Sequence, residues 1–412
     1  MTPAKAASQA APPVQAATGA MLDKARAVTA KVARLSRDFA GAHKLAHEAQ
    51  VREALTRTEL TLALTESLAA RAELEARLRD QAVAAFRARG AGRLRRHNRL
   101  SQMLDRVLAR LGWPGQALVI ARSGIWHGTG RPLHDLRHMA AYARRGADPA
   151  IIPRAPLEQA WYLASNPDLA GLRMSPLAHY LVRGGREGRD PAPLFHAGWY
   201  GRENAAELAA TSVTPLEHYV RVGAARGLSP HPVFDTAHYL AQAPVLEPGD
   251  APLSHYLRDG WRAGLSPHPL FDPAWYVERA PDAAGQPPLV HYLSKGWKAG
   301  LAPHPLFDPR WYLDQHPNVA AAGVEPLTHF LAHGGFEVAS PSPWFDLPAY
   351  VEARGADLPP NVHPLIDYLR GGAWAVAEAR PGFPTAAYVA TRPALVRRGI
   401  TPLEHWARRG GR

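Results

Sequence analysis

The sequence predicts an all-α protein, in which a long N-terminal helical arm with coiled-coil character precedes a solenoid-like array of two-helix repeats. Three observations support this prediction. The stretch 21–89 has no proline, an aromatic dipeptide recurs every 36–39 residues, and a second sequence block recurs with the same period. Two independent markers that share one period are typical of stacked repeats. The 46% hydrophobic content of the 412 residues is sufficient for a packed core.

The N-terminal part begins with a low-complexity stretch, residues 1–20, which predicts a disordered tail. Residues 21–112 are rich in Ala, Leu, Arg and Glu, a composition that favours a long helix or a helical hairpin. Within this arm Val28, Val32, Leu35 and Phe39 follow one another in steps of four, three and four. This seam predicts weak coiled-coil character and self-association, and it leaves the number of chains open.

Positive charge is concentrated in the arm. Residues 1–130 contain 21 Lys and Arg against 10 Asp and Glu, whereas the rest of the chain contains 27 against 26. Residues 86–111 form a basic amphipathic helix whose apolar face either packs on a neighbouring helix or contacts an anionic surface, such as inner-leaflet lipid, an acidic glycan or nucleic acid. Nucleic acid is the least favoured of these, because no aromatic residues alternate with the arginines. The candidate anionic contacts are Arg87, Arg89, Arg93, Arg95, Arg96 and Arg99.

Residues 113–131 are interpreted as a linker. They contain one strand-like run, residues 117–120, between Gly115 and Gly124. A single short strand cannot form a sheet, so no β-domain is expected here.

Residues 132–412 are predicted to form the repeat domain, with about seven repeats and an N-terminal half-repeat marked by Tyr142. The aromatic dipeptide, sometimes reduced to its tyrosine, places one tyrosine in each repeat: Tyr162, Tyr200, Tyr239, Tyr276, Tyr312, Tyr350 and Tyr388. The second block, Pro-Leu-x-His-Tyr with small variations, begins at Pro176, Pro215, Pro252, Pro288, Pro326, Pro364 and Pro402. One such unit cannot bury its own aromatic residues, but stacked units can.

Proline, aspartate and glycine mark the helix ends of each repeat. The first helix is predicted to be capped by an aspartate, at Asp235, Asp272, Asp308 and Asp346. Proline occupies the first turn of the second helix, where its missing N–H costs nothing. A glycine recurs five residues after the histidine position and is expected to be a left-handed C-terminal cap. These glycines are Gly184, Gly223, Gly260, Gly296, Gly334, Gly372 and Gly410.

Two families of histidines recur. The first occupies the Pro-Leu-x-His-Tyr block and is replaced by Asp367 in one repeat. Its recurrence indicates a structural hydrogen bond rather than catalysis, since a catalytic residue is normally needed once. The second family, in the Pro-rich connectors, could form a surface row, and Trp261 and Trp297 follow their glycines on one rim. We therefore take Trp261, Trp297, His231, His268 and His304 as candidate ligand or partner contacts.

No catalytic, cofactor-binding or metal-binding residue is predicted. The chain contains no cysteine and no Asp-x-Asp, and no Gly-rich phosphate loop or paired carboxylates stand out. No secretory signal and no run of about 18 apolar residues is present. The expected location is the cytoplasm, with peripheral attachment to the inner membrane surface as an extension.

The repeat resembles a tandem module of bacterial surface-polysaccharide glycosyltransferases. The resemblance rests on the stretch 267–307, PHPLFDPAWYVERAPDAAGQPPLVHYLSKGWKAGLAPHPLF, and extends over 132–412. It implies a role in cell-surface polysaccharide assembly, but no catalytic domain accompanies the repeats. The sequence therefore favours a non-catalytic scaffold whose arm self-associates or contacts an anionic surface, with a glycosyltransferase among the expected protein partners. A glycosyltransferase or its accessory subunit, and an anionic membrane- or nucleic-acid-binding protein, are the alternatives.

Overall fold

The computed structural model describes residues 14–88, 99–126, 128, 130–145, 148, 153, 155–243, 246, 250–334, 339–360, 362–392 and 394–411. Within these ranges helices form all the regular structure, and β-pairing is limited to isolated bridges in the connectors and near the C-terminus. The all-α prediction is confirmed. The chain divides into two compact units, Met1–Leu64 and Thr65–Arg412.

The described part of the first unit is one helix, the N-terminal portion of α1 (Val14–Ala88). This helix begins inside the stretch assigned to a disordered tail, so the predicted boundary at residue 20 is wrong. Residues 1–13 lie outside the described part. Gly41 lies inside this helix, and nothing comes within 4 Å of the position that a Cβ would occupy there.

The second unit begins with the C-terminal portion of α1, which packs against the repeats. Val83 is buried in a small cluster with Leu240 and Leu246. Ala72 lies so close to Gly371 that a Cβ added to the glycine would be 2.4 Å from the alanine Cβ. The predicted arm is therefore not a separate domain, because its residues from Thr65 onward belong to the repeat unit.

Three helices then form the N-terminal end of the stack: α2 (Arg99–Arg110), α3 (Trp113–Ser123) and α4 (Pro132–Arg145). Helix α3 replaces the predicted linker and its strand-like run. Gly112 (φ 78°) and Gly124 (φ 69°) bound it, and it buries Ile120 completely. A short apolar run with β-branched residues is compatible with a strand or with a helix. Here the run packs between α2 and α4, and this packing favours the helix.

Each of the seven repeats contains a short first helix and a second helix that begins with proline. The first helices are Gln159–Ser165, Ala197–Glu203, Thr236–Gln242, Pro273–Arg279, Pro309–Gln315, Leu347–Arg354 and Thr385–Ala390. The second helices start at Pro176–His179, Pro215–His218, Pro252–His255, Pro288–His291, Pro326–His329, Pro364–Leu369 and Pro402–Arg408. In the first five repeats the second helix widens into a π-turn: Tyr180–Gly184, Tyr219–Gly223, Tyr256–Gly260, Tyr292–Gly296 and Phe330–Gly334.

In the described part of the chain, six further helices of three to seven residues lie between the first and second helices. They are Pro167–Leu169, Ala205–Thr211, Pro281–Ala283, Pro317–Ala322, Gly355–Asp357 and Ala394–Arg398, and a further 3₁₀ turn, Gly372–Trp374, follows the second helix of repeat 6.

The connectors join neighbouring repeats through backbone hydrogen bonds. The N–H of Asp235 donates to Pro267 O at 2.9 Å, and that of Asp272 donates to Pro303 O at 3.0 Å. The predicted aspartate caps are also present: Asp235, Asp272, Asp308 and Asp346 each accept a backbone N–H in the first turn of the helix that follows. Each connector therefore starts a helix and fixes the next repeat.

The repeats also make contacts with repeats three positions away. Arg370 of repeat 6 forms an ion pair with Asp235 of repeat 3, and Arg408 of repeat 7 forms one with Asp272 of repeat 4. The array therefore winds so that successive turns touch. The aspartate that caps a helix is also the acceptor for an arginine about 135 residues further along the chain.

Candidate interaction surfaces

The recurrent tyrosine and histidine form one hydrogen-bonded pair in six of the repeats. The tyrosine hydroxyl of the first helix lies 2.5–3.0 Å from Nδ1 of the histidine in the second helix. The pairs are Tyr162–His179, Tyr200–His218, Tyr239–His255, Tyr276–His291, Tyr312–His329 and Tyr388–His405. The predicted structural role of this histidine family is supported, with a side chain as the partner.

The recurrent glycine is required by close approach, not by a left-handed backbone. A Cβ at Gly184, Gly223, Gly260, Gly296 or Gly372 would lie 1.9–2.2 Å from the tyrosine hydroxyl oxygen of the same repeat. These five glycines are absent from the positive-φ set, so the predicted left-handed caps are wrong there. Gly410 does have a φ of 67°, and the surroundings of Gly334 lie outside the described part.

The left-handed caps occur four residues later, at Gly188, Gly227, Gly264 and Gly300, with φ of 72–76°. The two glycines of each of these four repeats therefore have different roles. The first ends the π-turn and lies against the tyrosine hydroxyl, and the second has the left-handed backbone. The i+5 hydrogen bond of the π-turn, such as Trp261 N to Tyr256 O at 3.2 Å, widens the helix where the tyrosine hydroxyl enters. The capping glycine then ends the helix after this wide turn.

Repeat 6 replaces the histidine by a charged group. The Tyr350 hydroxyl donates to Asp367 Oδ2 at 2.6 Å, and Arg354 Nε lies 2.9 Å from the same oxygen. The arginine balances the carboxylate at a position where each of the other six repeats has a histidine. The same geometry is therefore built from a different charge arrangement.

The tyrosines of the first five pairs are enclosed. Tyr162, Tyr200, Tyr239, Tyr276 and Tyr312 are completely buried. Burial also lowers the pKa of His179 and His218, which keeps both imidazoles neutral near pH 7. A tyrosine–histidine pair could transfer a proton only to a group that reaches it, and in the first four repeats the glycine backbone lies against the hydroxyl. The arrangement stabilises each repeat.

The connector histidines do not form a surface row. His231, His268 and His304 are 3–6% exposed, and Nδ1 of each accepts the backbone N–H two residues later at 3.0–3.2 Å. Burial lowers the pKa of His231 and of His268 to about 3. The prediction that they contact a ligand or partner is therefore wrong. Ser342 performs the same role in a later connector, where its hydroxyl accepts the N–H of Trp344.

Trp261 and Trp297 are half-buried against the core, and each carries a cation beside its ring. The guanidinium of Arg262 is 4.4 Å from the Trp261 ring centroid, and Lys298 Nζ is 5.5 Å from that of Trp297. Trp297 Nε1 donates to Leu293 O. Their contact with a ligand or partner stays a prediction. The tryptophans of the aromatic dipeptides, by contrast, are only partly buried, with Trp311 37% exposed, whereas their tyrosines form the core.

The apolar side chains of α2 are exposed. Leu100 (75%), Met103 (64%) and Leu111 (66%) are largely accessible, and Leu104 and Val107 are close to half exposed. Of the predicted apolar face, Leu108 packs against the core, whereas packing on a neighbouring helix does not account for Leu100, Leu104, Val107 and Leu111. We call Leu100, Met103, Leu104, Val107 and Leu111 the α2 surface.

The charge around the α2 surface is positive. Residues 99–145 contain eight arginines and two aspartates, and both acids, Asp105 and Asp135, are buried. Asp105 Oδ1 accepts from Arg122 Nε at 2.9 Å. Arg106 and Arg110 are exposed beside the apolar side chains. The six arginines proposed as anionic contacts cannot be placed, because the side chains of Arg87 and Arg99 and the whole of residues 89–98 lie outside the described part.

Two further properties concern chemistry. Among the described residues, no group of three or more His, Cys, Asp or Glu is arranged to hold a metal ion. A search of the same residues finds no helix with the length and apolar character needed to cross a membrane. Comparisons of the chain with family models, with curated proteins and with solved structures find no match.

Proposed function

We propose that the protein is a non-catalytic repeat scaffold of bacterial cell-surface polysaccharide biosynthesis, whose N-terminal helices provide self-association or contact with an anionic surface. The observation that carries the scaffold role is the use of the recurrent polar groups. The hydroxyls of the first-helix tyrosines, both histidine families and the capping aspartates are engaged in internal hydrogen bonds. The polysaccharide setting rests on the sequence resemblance alone.

The test of the scaffold role is a turnover assay on the purified full-length chain with a panel of nucleotide sugars. We expect neither hydrolysis nor transfer above the rate in buffer. A sugar-transfer or hydrolysis activity that co-purifies with the chain would refute the scaffold role and favour the alternative function, a glycosyltransferase. Polysaccharide-assembly genes beside the gene for this chain would support the setting, and their absence would remove it.

A second candidate function is binding to an anionic membrane surface through the α2 surface. Exposed leucine, methionine and valine side chains next to exposed positive charge are the composition of interfacial helices. Arg106 and Arg110 are placed to contact acidic headgroups while the apolar side chains enter the boundary of the acyl chains. Burial of both aspartates leaves little negative charge to oppose this contact.

Co-sedimentation with phosphatidylcholine vesicles, with and without phosphatidylglycerol, tests this function. We expect binding that requires the anionic lipid, weakens with salt, and is lost in the variant Leu100→Gln/Met103→Gln. The variant Val324→Gln is the matched control, since Val324 is an exposed apolar residue (39%) in repeat 5. Unchanged binding by the α2 variant would refute the proposal, and salt-dependent binding to duplex DNA instead of vesicles would favour nucleic acid.

A further inference from the structure

An exposed apolar seam runs along the first unit. Starting at Met21, apolar residues follow in alternating steps of four and three through four heptads: Met21, Ala25, Val28, Val32, Leu35, Phe39, Ala42, Ala46 and Ala49. All of them are exposed, and the five large side chains are 56–76% exposed. A regular alternation of this kind is the a/d pattern of a two-stranded coiled coil. The described part of the unit contains no second element that could cover it.

The order of large and small side chains distinguishes the two possible orientations of a second copy. In a parallel pair in register, every residue of the seam meets itself. Phe39 would then oppose Phe39, next to three successive alanine–alanine layers at 42, 46 and 49. The two helix axes would have to diverge at the phenylalanines and converge immediately afterwards, which leaves voids.

An antiparallel pair reduces this conflict to one alanine–alanine layer, Ala25 opposite Ala42 of the second copy, which symmetry repeats. With the twofold axis between residues 33 and 34, Val32 packs opposite Leu35 of the second copy, and Val28 packs opposite Phe39. Met21 at one end packs opposite Ala46. Each bulky side chain in the outer layers then meets a smaller one, so the spacing between the helices changes less along the seam.

Charge complementarity favours the same arrangement. Lys31 and Asp38 occupy the g positions, immediately beside the seam. In the antiparallel register these positions face each other, so Lys31 lies beside Asp38 of the second copy, and symmetry repeats the pair. In a parallel pair, g faces e, and Lys31 would lie beside the uncharged Ser36.

We propose that residues 21–46 form an antiparallel two-stranded coiled coil with a second copy of this chain. This inference deepens the self-association included in the proposed function and rests on it. It makes the protein a dimer in which the two N-terminal helices run in opposite directions. A dimer built in this way carries two repeat stacks.

The absence of cysteine from the chain permits a direct test of orientation. The single variants Met21→Cys and Ala46→Cys are purified, mixed under reducing conditions and then treated with a short bismaleimide. In the antiparallel dimer, residues 21 and 46 of different copies are adjacent, whereas like positions are about 38 Å apart along the helix axis. We expect crosslinked dimers in the mixture and almost none in either variant alone.

The reverse pattern would overturn the orientation. Crosslinking of Met21→Cys alone, without a gain in the mixture, indicates a parallel pair and leaves self-association intact. A monomeric mass for the native chain over a wide concentration range, measured by light scattering, would overturn the coiled coil altogether. Neither result affects the turnover assay, so failure of this inference is distinguishable from failure of the scaffold proposal.

Charge reversal provides an independent measurement. Lys31→Glu places two like-charged pairs in the antiparallel dimer, and we expect the dimer dissociation constant to rise roughly tenfold. The double variant Lys31→Glu/Asp38→Lys should restore most of the affinity, because the pairs are re-formed with opposite sense. Arg34→Glu is the matched control at a position away from the seam. An effect of Arg34→Glu as large as that of Lys31→Glu, or no rescue by the double variant, would contradict the register.

Discussion

Replacement of Gly260 by alanine tests why glycine recurs in the second helix. A Cβ at this position would lie 2.0 Å from the Tyr239 hydroxyl oxygen and 3.0 Å from Cζ of the same ring. Ordinary non-bonded carbon contacts begin at about 3.5 Å, so the methyl group and the hydroxyl must separate by about 1.5 Å. The ring cannot yield freely, because Tyr239 is completely buried.

The magnitude follows from two costs. Insertion of a methyl group into a packed core costs about 1–3 kcal/mol. Displacement of the hydroxyl also breaks its 2.5 Å hydrogen bond to His255 Nδ1, which contributes about 1 kcal/mol. We therefore expect Gly260→Ala to lower the free energy of unfolding by about 3 kcal/mol.

Two other glycines provide matched controls for the same substitution. Gly264 has a φ of 72° and open space around its Cβ position, so Gly264→Ala should cost only the backbone strain, about 1 kcal/mol. Gly201 is inside a helix, also with open space, so Gly201→Ala should stabilise by about 0.5–1 kcal/mol. Denaturant unfolding of the full chain, followed by circular dichroism, measures all three. If Gly260→Ala costs no more than Gly264→Ala, close approach to the tyrosine is not the reason for this glycine.

Two further predictions concern the connectors. The pKa of His231 and of His268 is about 3 in the folded chain and 6.5 in the absence of burial. The unfolded chain therefore binds more protons between these values, and stability falls as the pH falls below 6.5, by about 2 kcal/mol for each histidine at pH 5. The double variant His231→Asn/His268→Asn should lose this part of the pH dependence of unfolding, because the asparagine side-chain oxygen can accept the same N–H and does not titrate. An unchanged pH dependence would show that these two histidines are not its source. Asp308→Ala removes a helix cap and should lower the free energy of unfolding by about 1 kcal/mol. Asp272→Ala removes both a helix cap and the partner of Arg408, and should lower it by about 1 kcal/mol more. Equal losses would show that the ion pair between repeats 4 and 7 contributes nothing.

Local sequence was sufficient to predict the helix starts. Asp308 followed by Pro309 is both a cap and a first-turn residue, and its side chain accepts the N–H of Trp311 as expected. Such devices act within a few residues, so they can be recognised without the fold. Both residues of the aromatic dipeptides were expected to supply core bulk; the tyrosines do so, whereas the prediction is wrong for the tryptophans, which are only partly buried.

The role of the recurrent glycine could not be predicted in the same way. A glycine at a helix end usually indicates a left-handed cap, and Gly260 follows that pattern in sequence. Its actual neighbour is the hydroxyl of Tyr239, which belongs to the preceding helix and enters a widened turn. The available signal was the joint recurrence of the three positions: a tyrosine, a histidine that is aspartate in repeat 6, and a glycine always five residues after the histidine position.

The sequence by itself determined the all-α class, the period of 36–39 residues and the positions where the helices start, because each depends on residues close together in the chain. Only the tertiary structure decided which polar groups are buried and which apolar groups are exposed. His268 is hidden in a connector, whereas Leu100 faces solvent. It also decided the contact between Arg408 and Asp272, which depends on how much each repeat rotates relative to the one before it. Small rotations accumulate over three repeats, and no local pattern encodes their sum.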